Sequence, residues 1–265
     1  MSNPRLLIRL DDIGMCTGVN QGTEELLKLG IPLSLSIMWC CPKWSDAVEM
    51  IKKYNNVSIG VHLVINSEWS TYKWVPISPA NTVSSLVTDA GFFRAEFVES
   101  WATLVNVDEL EVEIRAQIER ALSSGLQIDY VDGHMIGPLW FSTHKKIVEK
   151  LAKEYDLGIE NSYNEIDVQY KESVDTTTAI SSYVEAMSKL SNAKPNRIIV
   201  HPGTSDSLMN TLKAEWEKSE GEIGPIRQNN VAAIKSPEFR QAILANKVEL
   251  IQYRSLIEES RMINE

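Results

Sequence analysis

The chain has 265 residues, of which 43% are hydrophobic, and it carries a formal net charge of −10. This length and composition suit one large α/β domain or two small ones with a sizeable core. The acidic balance argues against nucleic acid or an anionic membrane as the main partner, because both require basic patches.

Cysteine usage and the N-terminal sequence both favour a reducing compartment. The three cysteines include the adjacent pair Cys40-Cys41, which cannot form an ordinary disulfide with each other. The first apolar run is too short for a signal peptide, and no apolar stretch approaches the length of a membrane span. We therefore expect a cytoplasmic protein without a membrane partner.

Strand and helix patterns alternate along the chain. An apolar run over residues 6–10 predicts a buried first strand, and residues 24–30 have a helical pattern that ends at Gly30. The later predicted elements are strand 33–38, helix 45–54, strand 57–63, helix 108–124, strand 128–134, helix 142–155, strand 158–162, helix 177–190, strand 197–201, helix 238–245 and strand 248–253.

The helix over residues 108–124 has the clearest pattern. Asp108 can cap it, and Glu111 stands at the capping-box position. Apolar residues at helical spacing predict its buried face, which consists of Leu110, Ile114, Ile118, Ala121 and Leu122.

This alternation, without a composition break, predicts one domain over residues 1–265 with a mostly parallel sheet. About seven strands suit a single-domain α/β fold of the TIM-like (β/α) barrel type, including a distorted or incomplete barrel. The alternative is a doubly wound open sheet, but the glycines of residues 14–18 are a poor match to nucleotide-binding fingerprints.

Two adjacent carboxylates, Asp11 and Asp12, follow the first strand. Like charges this close raise one pKa or recruit a cation, so a metal ion is one explanation for the pair. The alternative is that one aspartate caps the next helix.

Three of the four histidines end β-rich runs, namely His62, His134 and His201. His144 instead lies in a helical pattern beside Lys145, where we expect it to face solvent. A single histidine at a strand end is more often a hydrogen-bonded core residue than a ligand. Three at equivalent positions, with an acidic pair at another strand end, indicate a site at a barrel mouth.

One aspartate and two histidines with an open coordination position form a common set for a catalytic divalent cation. Such an ion lowers the pKa of bound water and polarises an amide or ester carbonyl. A second carboxylate can accept the water's proton, and a further histidine can protonate the leaving group. The residues that fill these roles, and so predict metal-assisted hydrolysis, are Asp11, Asp12, His62, His134 and His201.

Residues 66–107 form the least regular part of the chain and are rich in aromatic side chains. A long irregular segment is usually a functional loop or lid, and aromatic faces suit stacking on sugars. We expect Trp69 and Trp74 to cover the site and to contact the substrate. The alternative, which is the commoner role for any one aromatic, is that they pack the loop down.

Four short motifs occur in order between residues 10 and 203. They are Leu10-Asp11-Asp12-Ile13-Gly14 with Gly18-Val19-Asn20, then Gly60-Val61-His62-Leu63, Asp132-Gly133-His134, and Val200-His201-Pro202-Gly203. Together they resemble the YdjC/ChbG-like carbohydrate deacetylases over most of the chain. The resemblance implies a TIM-like barrel related to polysaccharide deacetylases, one divalent Mg²⁺ or Zn²⁺ ion, and an acetylated sugar or short oligosaccharide as substrate.

By position within these motifs, the resemblance implies Asp12, His62 and His134 as metal ligands. It implies Asp11 as the catalytic base and His201 as the acid. Many members carry further histidines after the one that matches His134, whereas this chain continues with residues Met, Ile, Gly and Pro.

Two other functions remain open. One is a different metal-dependent barrel enzyme acting on sugars, such as an isomerase or epimerase, although only Glu160 and Glu165 offer the additional carboxylates that those enzymes usually recruit. The other is a non-catalytic sugar-sensing homologue that keeps the fold. For the oligomeric state, a homodimer is one alternative.

Overall fold

The computed structural model describes residues 3–95, 104–136, 142–214 and 222–264 of the chain. They contain eight β-strands and eight α-helices. The strands are β1 (Arg5–Ile13), β2 (Leu33–Ile37), β3 (Val57–Leu63), β4 (Tyr130–Gly133), β5 (Gly158–Ile159), β6 (Ile166–Asp167), β7 (Asn196–Val200) and β8 (Glu249–Ile251). The helices are α1 (Thr17–Leu27), α2 (Trp44–Ile51), α3 (Val107–Leu122), α4 (Ser142–Glu154), α5 (Thr176–Met187), α6 (Ile223–Lys235), α7 (Pro237–Ala245) and α8 (Tyr253–Asn264).

All strand pairs in the sheet are parallel, and the strand order is β5-β4-β3-β2-β1-β7-β6, with β8 paired to β1. Within the described part of the chain, β5 and β6 do not pair with each other, so the sheet is a curled, open half-barrel. The predicted α/β class is therefore confirmed, and the sheet agrees with a distorted or incomplete barrel. A closed TIM barrel is not confirmed. No helix in the described ranges is long and apolar enough to cross a membrane.

Strand β1 lies at the centre of the sheet and is buried from Leu6 to Ile13. A parallel strand covered on both faces is expected to be almost continuously apolar. Arg9, Asp11 and Asp12 break that rule, and each of them is at most 3% exposed. Three charged side chains in a strand this buried therefore need partners inside the half-barrel.

Strand β2 alternates leucine and serine, which predicts one solvent-facing side, yet all five of its residues are buried. Its serines face polar groups within the protein instead of water. Ser34 Oγ accepts a hydrogen bond from the backbone N–H of Tyr253, and Ser36 Oγ contacts the hydroxyl of Tyr130 at 3.0 Å. The polar face of β2 is thus part of the interior of the half-barrel.

The helices agree with the sequence patterns in their cores and differ at their ends. In α3 the side chain of Asn106, and not Asp108, caps the helix by accepting from two backbone N–H groups. Four of the five predicted core residues of α3 are buried, but Leu122 is 40% exposed. Helices α6 and α8 and strand β6 were absent from the predicted elements.

The long segment after β3 is held against α3 by a buried glutamate. Glu113 accepts hydrogen bonds from the backbone N–H groups of Ile77 and Ser78 at 3.0 and 2.9 Å. Gln117, one turn later, exchanges two hydrogen bonds with the backbone of Val64. The described part of this segment therefore has a defined position above the sheet.

Gly60 provides the first prediction, because a Cβ atom at this position would lie 2.5 Å from the ring of Tyr130 on β4. That ring is fixed by its hydroxyl contact to Ser36 and by the ring of Tyr253, whose centroid is 4.2 Å away. Gly60→Ala should lower the free energy of unfolding by about 1–3 kcal/mol through overpacking. Urea unfolding measures the change.

The control is the same substitution in a Tyr130→Leu background, where the ring is gone. There, Gly60→Ala should cost clearly less than in the wild-type chain. An equal cost in both backgrounds would contradict the steric explanation.

Candidate metal centre

Asp12, His62 and His134 come together at the C-terminal ends of β1, β3 and β4. Asp12 Oδ1 lies 3.4 Å from His62 Nε2 and 3.2 Å from His134 Nδ1, and the two ring nitrogens are 3.3 Å apart. All three residues are buried. Three strand ends of the half-barrel thus converge on one point.

The triangle of donor atoms fits a small divalent cation. A tetrahedral ion at the Zn²⁺ bond length of about 2.0–2.1 Å separates its ligand atoms by about 3.3–3.4 Å. Asp12 Oδ1 is fully buried and, within the described chain, makes no hydrogen bond of normal geometry. A buried carboxylate oxygen without a donor is costly unless a cation takes that place.

A carboxylate on the far side of each imidazole fixes the orientation of the ring. His62 Nδ1 lies 3.1 Å from Asp132 Oδ1, and His134 Nε2 lies 3.0 Å from Glu68 Oε2. Each histidine therefore directs its other nitrogen at Asp12. This carboxylate–histidine arrangement is what orients metal-binding imidazoles in proteins.

These carboxylates also change the protonation of the histidines. Burial alone would lower the pKa of His134, but Glu68 and Asp12 outweigh burial and raise that pKa to about 9. Burial acts in the same way on His62, where Asp132 and Asp11 raise the pKa well above its usual value. The carboxylates around the two rings therefore favour positive charge at this position.

The backbone at Asp12 departs from regular strand geometry. Its φ is +64°, which is uncommon for a residue other than glycine, and the pairing of β1 with β2 shifts register between Leu10 and Ile13. Regular alternation would send the side chains of Asp11 and Asp12 in opposite directions. Instead, an oxygen of each carboxylate lies within 4.8 Å of a nitrogen of His62.

Asp11 forms one half of a buried bidentate ion pair with Arg9, and it also lies in a second cluster with His62 and Asp132 that could hold a metal ion. Arg9 Nε and Nη2 each donate to one of its oxygens, both at 2.7 Å. Burial alone would raise the pKa of Asp11, but Arg9 outweighs this and lowers it. In this structure Arg9 is the neighbouring cation that favours the ionised form of Asp11.

The same guanidinium joins two more carboxylates. Arg9 Nη1 lies 3.0 Å from Asp132 Oδ2 and 2.5 Å from Glu160 Oε2. Glu160 also accepts from Arg197 Nη1 at 3.1 Å and from the backbone N–H of Gly133 at 3.0 Å. The residues that line this interior thus form one connected buried network.

The family comparison agrees with this geometry, since the model of the YdjC-like proteins matches residues 5–245. The chain belongs to the YdjC-like protein family. A relative from Enterococcus faecalis (strain ATCC 700802 / V583), named carbohydrate deacetylase, is 26% identical over 97% of this chain and 99% of its own length. Another carbohydrate deacetylase, from Thermoanaerobacter pseudethanolicus, is 29% identical but spans only 59% of this chain and 60% of that relative.

Two solved structures share the fold of this YdjC-like chain. One, described as a proposed cellobiose-phosphate cleavage protein from Enterococcus faecalis V583, has a TM-score of 0.77 at 24% identity, covering 96% of this chain and 99% of that one. The Xyl-CE4 domain of a xylanase from the hindgut metagenome of Trinervitermes trinervoides has a TM-score of 0.54 at 8% identity, covering 97% and 91%. The predicted resemblance to the YdjC-like family is confirmed.

His201 lies beside the candidate metal centre of this YdjC-like protein and outside the cluster of Asp12, His62 and His134. Leu10 pairs with Val200, so the next residue of each strand places His201 alongside Asp11. Its side chain is 39% exposed, and its Nδ1 lies 3.8 Å from Glu172 Oε1. Burial would raise the pKa of Glu172, but His201 and Asn230 outweigh burial and lower it to about 2.

Trp69 and Trp74 do not present their rings to solvent. Trp69 is 6% exposed and its backbone bridges to Ala214, while Trp74 is 2% exposed. The ring of Trp74 lies edge-on to His134 at a centroid distance of 6.0 Å, and its Nε1 donates to the carbonyl of Asn66. Both rings are buried in this structure, and their contact with a substrate stays a prediction.

The expectation for His144 is wrong. Its side chain is 1% exposed and belongs to the buried face of α4, with Ile147, Val148 and Leu151. The two lysines that follow it suggested a solvated position, but helical spacing places His144 one turn before Ile147 and Val148. Lys145 itself is exposed, as expected.

Sequence reasoning missed five residues that surround the predicted ones, namely Arg9, Glu68, Asp132, Glu172 and Arg227. Arg9 and Asp132 did leave a signal, because each is a charged residue in a β-rich run next to a predicted site residue. Glu68, Glu172 and Arg227 lie in segments without regular strand patterns, and no spacing connects them to the site.

The second prediction concerns Glu68, whose Oε2 lies 3.0 Å from the far nitrogen of His134. Glu68→Gln keeps the shape of the side chain and removes its charge. It should weaken Zn²⁺ affinity about 10- to 100-fold, the usual effect of losing a partner that orients a ligand. Competition with a chromogenic chelator measures the affinity.

A matched control is Glu111→Gln on α3, where the carboxylate binds Lys150 and Arg115 at the surface. This variant should bind Zn²⁺ as the wild type does. Unchanged affinity in Glu68→Gln as well would show that Glu68 does not orient His134.

Proposed function

We propose that this chain is a metal-dependent hydrolase that removes acetyl groups from N-acetylated sugars or short oligosaccharides. The observation that carries the proposal is the buried triangle of Asp12, His62 and His134, with the ionised Asp11 next to it. The names of the relatives from Enterococcus faecalis and Thermoanaerobacter pseudethanolicus support the choice of substrate.

Asp12, His62 and His134 would hold one divalent ion. Two nitrogens and one oxygen, 3.2–3.4 Å apart, favour Zn²⁺ or a similar transition metal. Mg²⁺ prefers oxygen ligands, and octahedral geometry at about 2.0–2.1 Å would bring neighbouring ligands to about 2.9 Å. When bound, the ion supplies Lewis-acid polarisation of the acetyl carbonyl and lowers the pKa of water.

The side chains of the protein then transfer two protons, one from the water and one to the leaving nitrogen. Hydrolysis forms a bond between the water oxygen and the acetyl carbon and breaks the bond from that carbon to nitrogen. Asp11 is the proposed acceptor of the water's proton, because a carboxylate that receives two hydrogen bonds from Arg9 still has lone pairs free. His201 is the proposed donor to the leaving nitrogen, so that acetate and an amine are released.

An isomerase or epimerase receives less support from the same site. The additional carboxylates expected of such an enzyme are Glu160 and Glu165. Glu160 is bound by two arginines, and Glu165 accepts from the backbone N–H groups of Asn161 and Tyr163. Among the described residues, neither carboxylate belongs to a cluster that could hold a metal ion.

The third prediction distinguishes the proposed roles of the adjacent residues Asp11 and Asp12. Asp11→Asn should lower kcat about 10²–10⁴-fold, the usual contribution of a general base, with metal content nearly intact. Asp12→Asn should lose metal, because the uncharged amide replaces the oxygen that faces both histidines. Bound metal and acetate release from N-acetylated mono- and disaccharides are measured on the same samples.

The two variants are isosteric and serve as controls for each other, with circular dichroism to confirm folding. If Asp11→Asn empties the site while Asp12→Asn keeps it full, the two roles are exchanged. Wild-type turnover in Asp11→Asn would place the base elsewhere.

The fourth prediction concerns His201 and Glu172. His201→Ala should lower kcat about 10²–10⁴-fold without loss of metal, since its side chain is outside the triangle of ligands. Glu172→Gln should have a smaller effect in the same direction, because it removes only the charge that faces His201.

The discriminating measurement is a substrate whose leaving group needs no proton, such as an acetate ester of 4-nitrophenol. Both variants should approach wild-type rates with this ester. An equally large defect on ester and amide would contradict the role of His201 as an acid.

A further inference from the structure

Arg227 brings an unused hydrogen-bond donor into the metal centre. It lies on α6 and is 6% exposed, and its Nη2 donates to Asp12 Oδ2 at 2.6 Å. Its Nη1 is fully buried and has no hydrogen-bond partner among the described residues. A buried charged donor left without an acceptor is costly, so such a group calls for an explanation.

The packing around Arg227 shows that its position is tightly defined. A Cβ atom at Gly203 would lie 2.9 Å from the Cβ of Arg227, and a Cβ atom at Gly22 would lie 2.4 Å from the backbone nitrogen of Gly203. Two glycines therefore allow α1, the loop after β7 and α6 to approach closely. This approach is what brings a side chain 215 positions away in sequence to Asp12.

The planar guanidinium limits where Nη1 can be. Because the two terminal nitrogens share one carbon with bonds of about 1.33 Å, Nη1 lies within about 5 Å of Asp12 Oδ2. The other oxygen of that carboxylate faces His62 and His134. This bound places Nη1 in the neighbourhood of the three ligands, and a guanidinium nitrogen can only donate.

We propose that Arg227 is a further catalytic residue, whose Nη1 binds the carbonyl oxygen of the acetyl group and then an oxygen of the released acetate. This inference rests on the proposed deacetylation. The carbonyl oxygen gains negative charge during hydrolysis, and a preorganised charged donor stabilises such an oxygen most strongly where water is excluded. Nη2 meanwhile stays on Asp12, so that one guanidinium contacts both the ligand and the reacting group.

The test uses Arg227→Lys, because lysine keeps the positive charge beside Asp12 but has no second nitrogen. Wild type and variant are loaded with Co²⁺ and titrated with sodium acetate, and the visible absorption of the ion reports both binding events. Co²⁺ affinity should stay close to that of the wild type, whereas the dissociation constant of acetate should rise about 10- to 100-fold. Turnover should show a fall in kcat of about 10²–10³-fold with a smaller change in KM.

Arg254→Lys is the matched control, since Arg254 forms a bidentate pair with Asp129 ahead of β4, at the opposite end of that strand from His134. It should leave Co²⁺ and acetate binding unchanged. Arg227→Gln is a second variant for the case in which the lysine does not fit, and it too should lose acetate affinity.

The outcomes separate the two proposals. Acetate binding in Arg227→Lys and Arg227→Gln equal to that of the wild type overturns this role of Arg227 and leaves deacetylation standing. A wild-type protein that binds no Co²⁺ overturns both. Loss of Co²⁺ and acetate affinity together in Arg227→Lys would show that Arg227 only positions Asp12, and this inference would be wrong.

Discussion

One buried guanidinium determines how the acidic interior of this half-barrel is arranged. Arg9 contacts Asp11, Asp132 and Glu160, all of which are buried. Removing one partner from such a buried set costs about 3–5 kcal/mol, because the remaining charges stay in a medium that solvates them poorly. Ion pairs of this kind seldom stabilise a fold more than apolar packing would, so their main effect here is on position. Through Asp132, Arg9 fixes the ring of His62, and through Glu160 it reaches the backbone of the residue before His134.

The same constraint explains why the centre suits a cation and why Asp11 and Asp12 differ. Arg9 occupies both oxygens of Asp11, whereas Arg227 occupies only one oxygen of Asp12 and leaves Oδ1 facing two imidazoles. Asp12 also has a positive φ, a conformation that costs on the order of 1–3 kcal/mol and persists only where the surroundings enforce it. The hydrogen bond from Arg227 and the register shift of β1 supply that enforcement. The proposed division of Asp11 as proton acceptor and Asp12 as ligand thus follows from which arginine contacts which carboxylate, and not from strand alternation.

The sequence predicted those parts of the site that follow from regular strands. Asp12, His62 and His134 each end a strand whose apolar pattern was clear, and parallel strands bring their carboxyl ends to one edge. The surrounding groups could not be predicted in this way. Glu68 lies in a loop whose position depends on the buried Glu113 of α3. Arg227 reaches the site through close packing of its helix. No periodic sequence pattern predicts either position. The aromatic residues were predicted to contact a sugar because their irregular segment is long and rich in aromatic side chains, and these features do not distinguish a stacking surface from a packed loop.

Residues after β7 also contribute to the site at the ends of β1, β3 and β4. The pairing of β7 with β1 sets His201 beside Asp11, and the short loop that follows β7 contains Gly203. Because that glycine lacks a Cβ atom, α6 can approach closely enough for Arg227 to reach Asp12. One four-residue motif, Val200-His201-Pro202-Gly203, therefore has two separable consequences. It places the partly exposed imidazole of His201 beside Asp11, and its glycine allows the buried guanidinium of Arg227 to reach Asp12. The glycine of this motif is required by the contact it permits, in the same way that Gly60 is required by the ring of Tyr130.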